Sequence, residues 1–309
     1  MRIINPKFEI LTQDTTLGLL GVFQQIKIAG QTCYDSESSR TPLEFTEMLK
    51  RSGHGAMLEH GTIYLTTKDD TVASRYKENR FSYVHEVQQA YHRDMTYYIT
   101  TNYRVLVENN WEDDLNFYMV EPTEYHEKRV TVRFTTQIAI SREYNRHRVD
   151  SIADDSDSIT NTSIAEQSTR YCNYSKDKYD GQVSIVKPTW VADIIRDNEE
   201  KVNVDLRSMC QSIYLGDDMQ EWEALRYWLF GNLAAEYSYL NMLRLGRTAQ
   251  EARTVLALDT RTELVHTAFI SDWKHFFDLR ALGTTGKPHP DAKLLAEPLM
   301  EEFKRLKLI

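Results

Sequence analysis

Two stretches far apart in the chain, Thr62–Thr67 and Arg129–Thr136, alternate apolar and polar side chains, Arg261–Ala268 reads as a further strand, and segments of helical period lie between them. Alternation with period two fits strands with one covered face, and the 3.6 period fits helices laid on that face. Strands mixed with helices in this way point to an α/β or α+β class, in one domain over residues 1–309. The element limits are written in the sequence. Phe8–Leu11 reads as a short strand and Leu17–Ile28 as a helix; Thr41, Pro42 and Glu44 form a capping box, and Gly53 follows the last turn. Gln137–Arg148 reads as a helix, as do Val191–Tyr214 and Asp218–Arg244, with Gly246 ending the last. Thr248 and Glu251 make a second capping box that places Arg253 in the second turn of a short helix. Ser271 is expected to cap a helix through Leu282, and Pro298 to interrupt or bend a final helix over Asp291–Leu306. Residues 69–116 are polar and aromatic and read only as mixed structure, and the Ser/Asp/Thr-rich stretch 149–162 as a surface loop.

Composition narrows the function classes. With 309 residues, 41% hydrophobic, the chain buries a full core, and its net charge of −9 repels a phosphate backbone or an anionic bilayer at long range. Neither nucleic acid nor membrane is expected as a partner. Lys7 and Glu9 break any leader-like apolar run and no apolar stretch is long enough to span a bilayer, so the expected location is cytoplasmic. Cys33, Cys172 and Cys210 are scattered without CxxC spacing, as reduced thiols are. No metal site is expected, because His85-Glu86 lacks a second histidine four residues after the first. Gly283-Thr284-Thr285-Gly286-Lys287 is too short for a phosphate loop, Pro288 stands where a magnesium ligand belongs, and no Gly-x-Gly-x-x-Gly occurs.

Against this acidic background, arginines gather beside Ser, Glu and His. The clusters are Arg146-His147-Arg148, then Glu166-Gln167-Ser168-Thr169-Arg170-Tyr171, then Arg253, then Leu279-Arg280. Guanidinium matches phosphate and carboxylate bidentately, so such clusters point to a small anionic ligand. The Arg-His-Arg triplet alone is weak, since such a run on a solvated helix end usually carries no function. Its conjunction with the upstream Gly53-His54 and the three downstream segments is the signal.

In that conjunction the chain resembles the flavin-dependent thymidylate synthases. The signature of that family runs Arg-His-Arg, then Ser, Asn-Glu, Ser and Arg-Tyr; here it reads Arg146-His147-Arg148, a loop, then Ser163-Ile164-Ala165-Glu166-Gln167-Ser168-Thr169-Arg170-Tyr171. Gly53-His54 with Glu59-His60, Glu251-Ala252-Arg253 and Phe277-Asp278-Leu279-Arg280 match its other segments. The resemblance covers residues near 15–65 and 130–282. It implies a central, mostly antiparallel sheet flanked by helices, a homotetramer with active sites between subunits, and methylation of dUMP to dTMP. Tightly bound FAD, NADPH as reductant and methylenetetrahydrofolate as carbon donor are implied with it. No cysteine nucleophile is needed, and none of the three cysteines has Pro-Cys-His neighbours.

Residue by residue, the resemblance puts Arg142, Glu143, Arg146, Glu166, Gln167, Ser168, Thr169, Arg170, Arg253 and Arg280 at dUMP. Ser168 and Arg280 are its catalytic candidates, Arg280 stabilising the N3-deprotonated uracil. His54, Arg146, His147, Arg148, Glu166, Phe269, Ser271 and His275 fall at FAD. The chain also departs from the family. Residues near 65–128 and 151–162 are insertions, Ala165 replaces an Asn, Gly55-Ala56 replaces Glu or Ser then Thr, Ala257 stands where Pro is frequent, and Phe269 stands where an Asn tends to meet the flavin. Two alternatives follow: a related flavoenzyme that hydroxymethylates dUMP or takes another pyrimidine nucleotide, and a non-catalytic nucleotide-binding relative.

Overall fold

The computed structural model of the protein describes residues 1–88, 95–146, 162–197 and 221–309. Its centre is the pair of nine-residue strands β6 (Arg129–Gln137) and β9 (Arg261–Phe269), antiparallel over their whole length from Arg129↔Phe269 to Gln137↔Arg261. With β2 (Lys7–Leu11) outside β6 and β7 (Ser163–Glu166) outside β9, they form an antiparallel sheet of order β2-β6-β9-β7. A second antiparallel sheet joins β3 (Thr62–Thr67), β5 (Met95–Asn102) and β4 (Tyr83–Gln88) in the order β3-β5-β4, and β1 (Arg2–Ile4) pairs in parallel with β8 (Ser184–Val186).

Period two sends successive β9 side chains to opposite faces. Val265 faces the layer of α1 (Leu19–Tyr34), α2 (Pro42–Arg51) and α3 (Gly55–Leu58), where Val22, Phe23, Ile26, Phe45 and Leu49 are buried. Leu264 and Ala268 face the other layer, with Val132 and Phe134 of β6, under Trp273, Phe276 and Phe277. Those aromatics belong to α11 (Ile270–Phe277), which continues as a π-helical turn over Asp278–Leu282, and α12 (Pro290–Arg305) closes the layer with Leu295, Leu299 and Phe303. Each fully covered large side chain contributes roughly 1.5–3 kcal/mol, so both faces of the central pair are held by burial.

The remaining elements complete the order. α4 (Asp70–Lys77), α5 (Tyr103–Asn109) and α6 (Asp114–Tyr118) surround the second sheet, and α7 (Ile138–Asn145) follows β6. α8 (Thr189–Asp197), α9 (Glu221–Arg244) and α10 (Ala249–Ala252) precede β9. The described part of 69–116, read from sequence only as mixed structure, therefore holds α4, β4, β5, α5 and the start of α6.

Several expected limits shift for physical reasons. α1 starts later and ends later than expected: Asp14 caps a 3₁₀ turn over Thr15–Leu17, and the helix runs on to Tyr34, where Asp35 adopts a left-handed conformation (φ 44°). Ser163–Glu166, not assigned to an element from sequence, is a strand because β9 offers it an edge. Ser271 does not cap α11, which starts one residue before it; the Ser271 amide is instead satisfied by the Glu127 carboxylate at 3.0 Å. The helix expected over 137–148 spans Ile138–Asn145, and the helix expected over 191–214 is described only through Asp197. Pro298 does not interrupt α12: it lies on the exposed side, where the missing amide faces solvent, while Leu295, Leu299 and Phe303 anchor the inner side. Both capping boxes form, Thr41 with Glu44 and Thr248 with Glu251.

Candidate nucleotide and cofactor site

The signature segments meet where α7 passes β7. On one side of α7, Ser141 and Asn145 are a turn apart and both reach Glu166 at the end of β7: Ser141 Oγ donates to Oε1 at 2.6 Å and Asn145 Nδ2 to Oε2 at 3.2 Å. Thr262 of β9 adds a third bond to Oε1 at 3.1 Å. Glu166 is thus a half-buried carboxylate oriented by neutral donors.

Beyond β7 the chain turns. The Gln167 amide bonds the Glu263 carbonyl at 2.7 Å and the Ser168 amide bonds the Cys33 carbonyl at 2.9 Å, while the Ser168 carbonyl receives the Tyr171 and Cys172 amides. Gln167 is buried, its side chain meeting Arg261 and Cys172, so it braces the turn from inside. The second capping box places Arg253 at the start of a 3₁₀ turn, from which its Nη1 reaches Thr169 Oγ1 at 3.4 Å. Arg170 lies over the Tyr171 ring at 5.3 Å. Arg170 and Arg253 are exposed, and neither has an acidic partner among the described residues.

Arg280 belongs to a second group. Its guanidinium is 14% exposed and donates to the Glu143 carboxylate and to the Glu143 carbonyl, both at 2.8 Å. Glu143 lies two residues from Ser141, on the opposite side of α7. Arg146, 69% exposed, is 3.7 Å from Glu143, and Arg142 is exposed. His147 and Arg148 lie outside the described residues, as do residues 149–161 of the stretch expected to be an inserted surface loop. The structure therefore brings Glu166, Ser168, Thr169, Arg170 and Arg253 together on one side of α7, and Glu143, Arg146 and Arg280 on the other.

The residues expected at the flavin are spread more widely. His54 is exposed, and its Nδ1 lies 2.5 Å from the Tyr34 hydroxyl. His275 and Ser271 are exposed on α11. Phe269 is buried, its ring 5.5 Å from the Arg129 guanidinium and 6.2 Å from the ring of Tyr83.

Arg129 itself was not legible as a site residue, since a charge that opens an alternating strand reads as solvated. It is 8% exposed, donating to the Glu59 carbonyl (3.0 Å), Thr62 Oγ1 (3.3 Å) and Ser163 Oγ (2.9 Å). It ties the Glu59-His60 segment to the signature strand. Burial lowers its pKa to about 10, with Tyr64, Glu59 and Asp272 opposing the fall, so it stays protonated at neutral pH. Nearby, Arg104 of α5 pairs with Glu59 at 2.5 Å and with Glu108 at 2.6 Å, and a Cβ on Gly55 would stand 3.2 Å from its Nε. Burial raises the pKa of Cys33 and of Cys172, leaving both as thiols rather than nucleophilic thiolates. Among the described residues no cluster of His, Cys, Asp and Glu is able to hold a metal ion, and no helix is long and apolar enough to cross a membrane.

Two solved structures of the UMP/dUMP methylase PolB from Streptomyces cacaoi are similar to the chain. The one bound with 5-Br dUMP shares 15% identity over 99% of this chain and 93% of that one, with a TM-score of 0.43. The one bound with 5-Br UMP shares 14% identity over 99% and 92%, with the same TM-score of 0.43. No curated protein sequence matches the chain. The sequence model of the thymidylate synthase complementing proteins matches residues 122–306, more than half of the chain and every arginine cluster described above. The chain belongs to the thymidylate synthase complementing protein family.

Proposed function

We propose that this protein is a flavin-dependent thymidylate synthase, one catalytic domain with insertions near 65–128 and 151–162, that methylates dUMP at C5 with methylenetetrahydrofolate as carbon donor and NADPH as reductant. The observation that carries this reading is the pair Arg170 and Arg253. They are two exposed guanidiniums without acidic partners among the described residues, in a chain of net charge −9, beside a turn that presents Ser168 and Thr169. Cations left unneutralised on an acidic protein suit a phosphate ester, and the adjacent hydroxyls supply further donors to its oxygens. Glu166, held by Ser141, Asn145 and Thr262, keeps a fixed acceptor at the edge of that cradle, suited to a sugar hydroxyl or a base N–H.

For FAD, the residues present fit in part. Arg146 and the His54 ring are exposed donors of the kind a pyrophosphate or an isoalloxazine edge accepts, whereas Phe269 is committed to the core. When bound, the flavin supplies the relay of reducing equivalents that the side chains cannot. The chain's own contribution is charge and orientation, with Arg280 locked by Glu143 so that its guanidinium does not reorganise when negative charge develops on the base. In the homotetramer that the family implies, the Arg280 side of one subunit would complete the Arg170 side of another.

The test is direct. Protein loaded with FAD and reduced anaerobically by NADPH, then given dUMP and methylenetetrahydrofolate, yields a nucleotide of dTMP mass, and Arg280→Ala lowers the rate on the order of 100-fold. A product carrying an extra hydroxyl moves the assignment to hydroxymethylation, and no product from flavinated protein removes it.

A further inference from the structure

The carboxyl end of α1 lies outside every signature segment, yet it touches two of them. The Cys33 carbonyl receives the Ser168 amide at 2.9 Å. The Tyr34 hydroxyl lies 2.5 Å from His54 Nδ1, and the Tyr34 ring stacks on the His54 imidazole, with centroids 6.1 Å apart and planes at 30°. The same ring meets Tyr171, the last residue of the Arg-Tyr signature, at 5.8 Å. Asp35 then leaves the helix in the left-handed region and accepts from Lys178 and Tyr179. One turn of helix therefore links the Gly-His segment to the arginine-rich turn.

The direction of the Tyr34–His54 bond has a chemical consequence. Burial, with Cys33 and Tyr171 adjacent, pushes the Tyr34 phenol above its ordinary value of 10, so its hydroxyl keeps a proton to donate through the neutral range; the same oxygen is also able to accept from an Nδ1–H, and the two directions correspond to opposite tautomers of His54. A neutral imidazole carries one N–H and one acceptor nitrogen. A bond received at Nδ1 puts the ring proton on Nε2. No other hydrogen-bond partner of the exposed His54 ring occurs among the described residues, so that N–H remains available to a ligand.

We propose that Tyr34 is the positioning residue of His54: it fixes the Nε2–H tautomer and the plane of the ring, so that the Gly-His segment presents one oriented donor beside the nucleotide turn. The identity of the ligand that receives this donor, the flavin, rests on the function proposed above; the tautomer is a property of the ligand-free chain. The experiment is nitrogen-15 NMR of histidine-labelled protein in mildly alkaline buffer, with His54→Gln to assign the signals. Wild type is expected to show His54 protonated at Nε2 with an accepting Nδ1, and Tyr34→Phe, which keeps the stack and loses the hydroxyl, to shift the tautomer ratio roughly fivefold, the worth of one neutral hydrogen bond. FAD affinity by equilibrium dialysis falls in Tyr34→Phe by a similar factor, while KM for dUMP is unchanged.

An Nδ1–H tautomer in wild type, or an Nδ1 signal that does not move in Tyr34→Phe, overturns the proposal. The wild-type spectrum alone decides the first of these if the variant fails to fold. If dUMP proves not to be a substrate while the NMR result holds, the functional reading falls and the positioning role stands.

Discussion

At the scale of single residues, the most consequential side chain is one the signature does not contain. Arg129 is a buried cation whose three partners come from Glu59, Thr62 and Ser163, all distant in sequence from it. Removing the guanidinium takes one donor each from the Glu59 carbonyl, the Thr62 hydroxyl and the Ser163 hydroxyl, leaving only the longer Ser163-to-Glu59 bond of 3.4 Å at that buried junction, and an under-satisfied buried polar group costs about 1–3 kcal/mol. Arg129→Met is expected to lower stability by about 3 kcal/mol in urea titration, a value under about 1 kcal/mol being incompatible with this role. The exposed arginines behave differently. Arg253→Ala removes one contact to Thr169 and no ion pair among the described residues, so it is expected to leave the unfolding midpoint unchanged and weaken dUMP binding about tenfold by calorimetry.

At the scale of elements, the two capping boxes separate fold from function. Thr41→Ala and Thr248→Ala each remove the hydroxyl oxygen that accepts from the third-residue amide where a helix starts, and each is expected to cost about 1 kcal/mol in denaturation. Only Thr248→Ala displaces Arg253, so it alone is expected to weaken dUMP binding. Both boxes were legible because capping is local: Thr, Pro and Glu at fixed offsets determine the geometry. The strands β3 and β6 were legible for the same reason, their alternation surviving in the sequence, and β2 and β9 were legible as strands without it. What escaped reading depends on distant partners. β7 is a strand because β9 presents an edge, α11 begins at Ile270 because Glu127 meets the Ser271 amide, and Tyr34 matters because His54 and Tyr171 come to it. In the site, the arginines announced themselves by type and spacing, whereas Ser141, Asn145 and Thr262 around Glu166 are residues with no sequence signature of their own.

At the scale of the whole molecule, the division of the signature between the two sides of α7 carries its own test. If each active site takes Arg280 from one subunit and Arg170 from another, co-expressed Arg280→Ala and Arg170→Ala chains regain about a quarter of wild-type activity by random assembly, well above either variant alone. Regain of none places both residues in one subunit's site. Alkaline stability is a second global property. The hydrogen bond to Asp70 raises the pKa of Tyr97 to about 12, and burial, with the Glu112 carboxylate beside it, raises that of Tyr103 to about 12, both from the ordinary 10. Unfolded tyrosines lose their protons first, so this stabilisation is complete below pH 10 and is lost as pH rises toward 12; the urea midpoint is expected to fall over that window. Arg104 brings α5 to the Gly-His segment, its guanidinium lying where a side chain on residue 55 would point. The two positions therefore constrain each other through shared volume: a lineage that lost the arginine at 104 would be free to regrow a side chain at 55, and an alignment of relatives is expected to show glycine and arginine appearing and disappearing together.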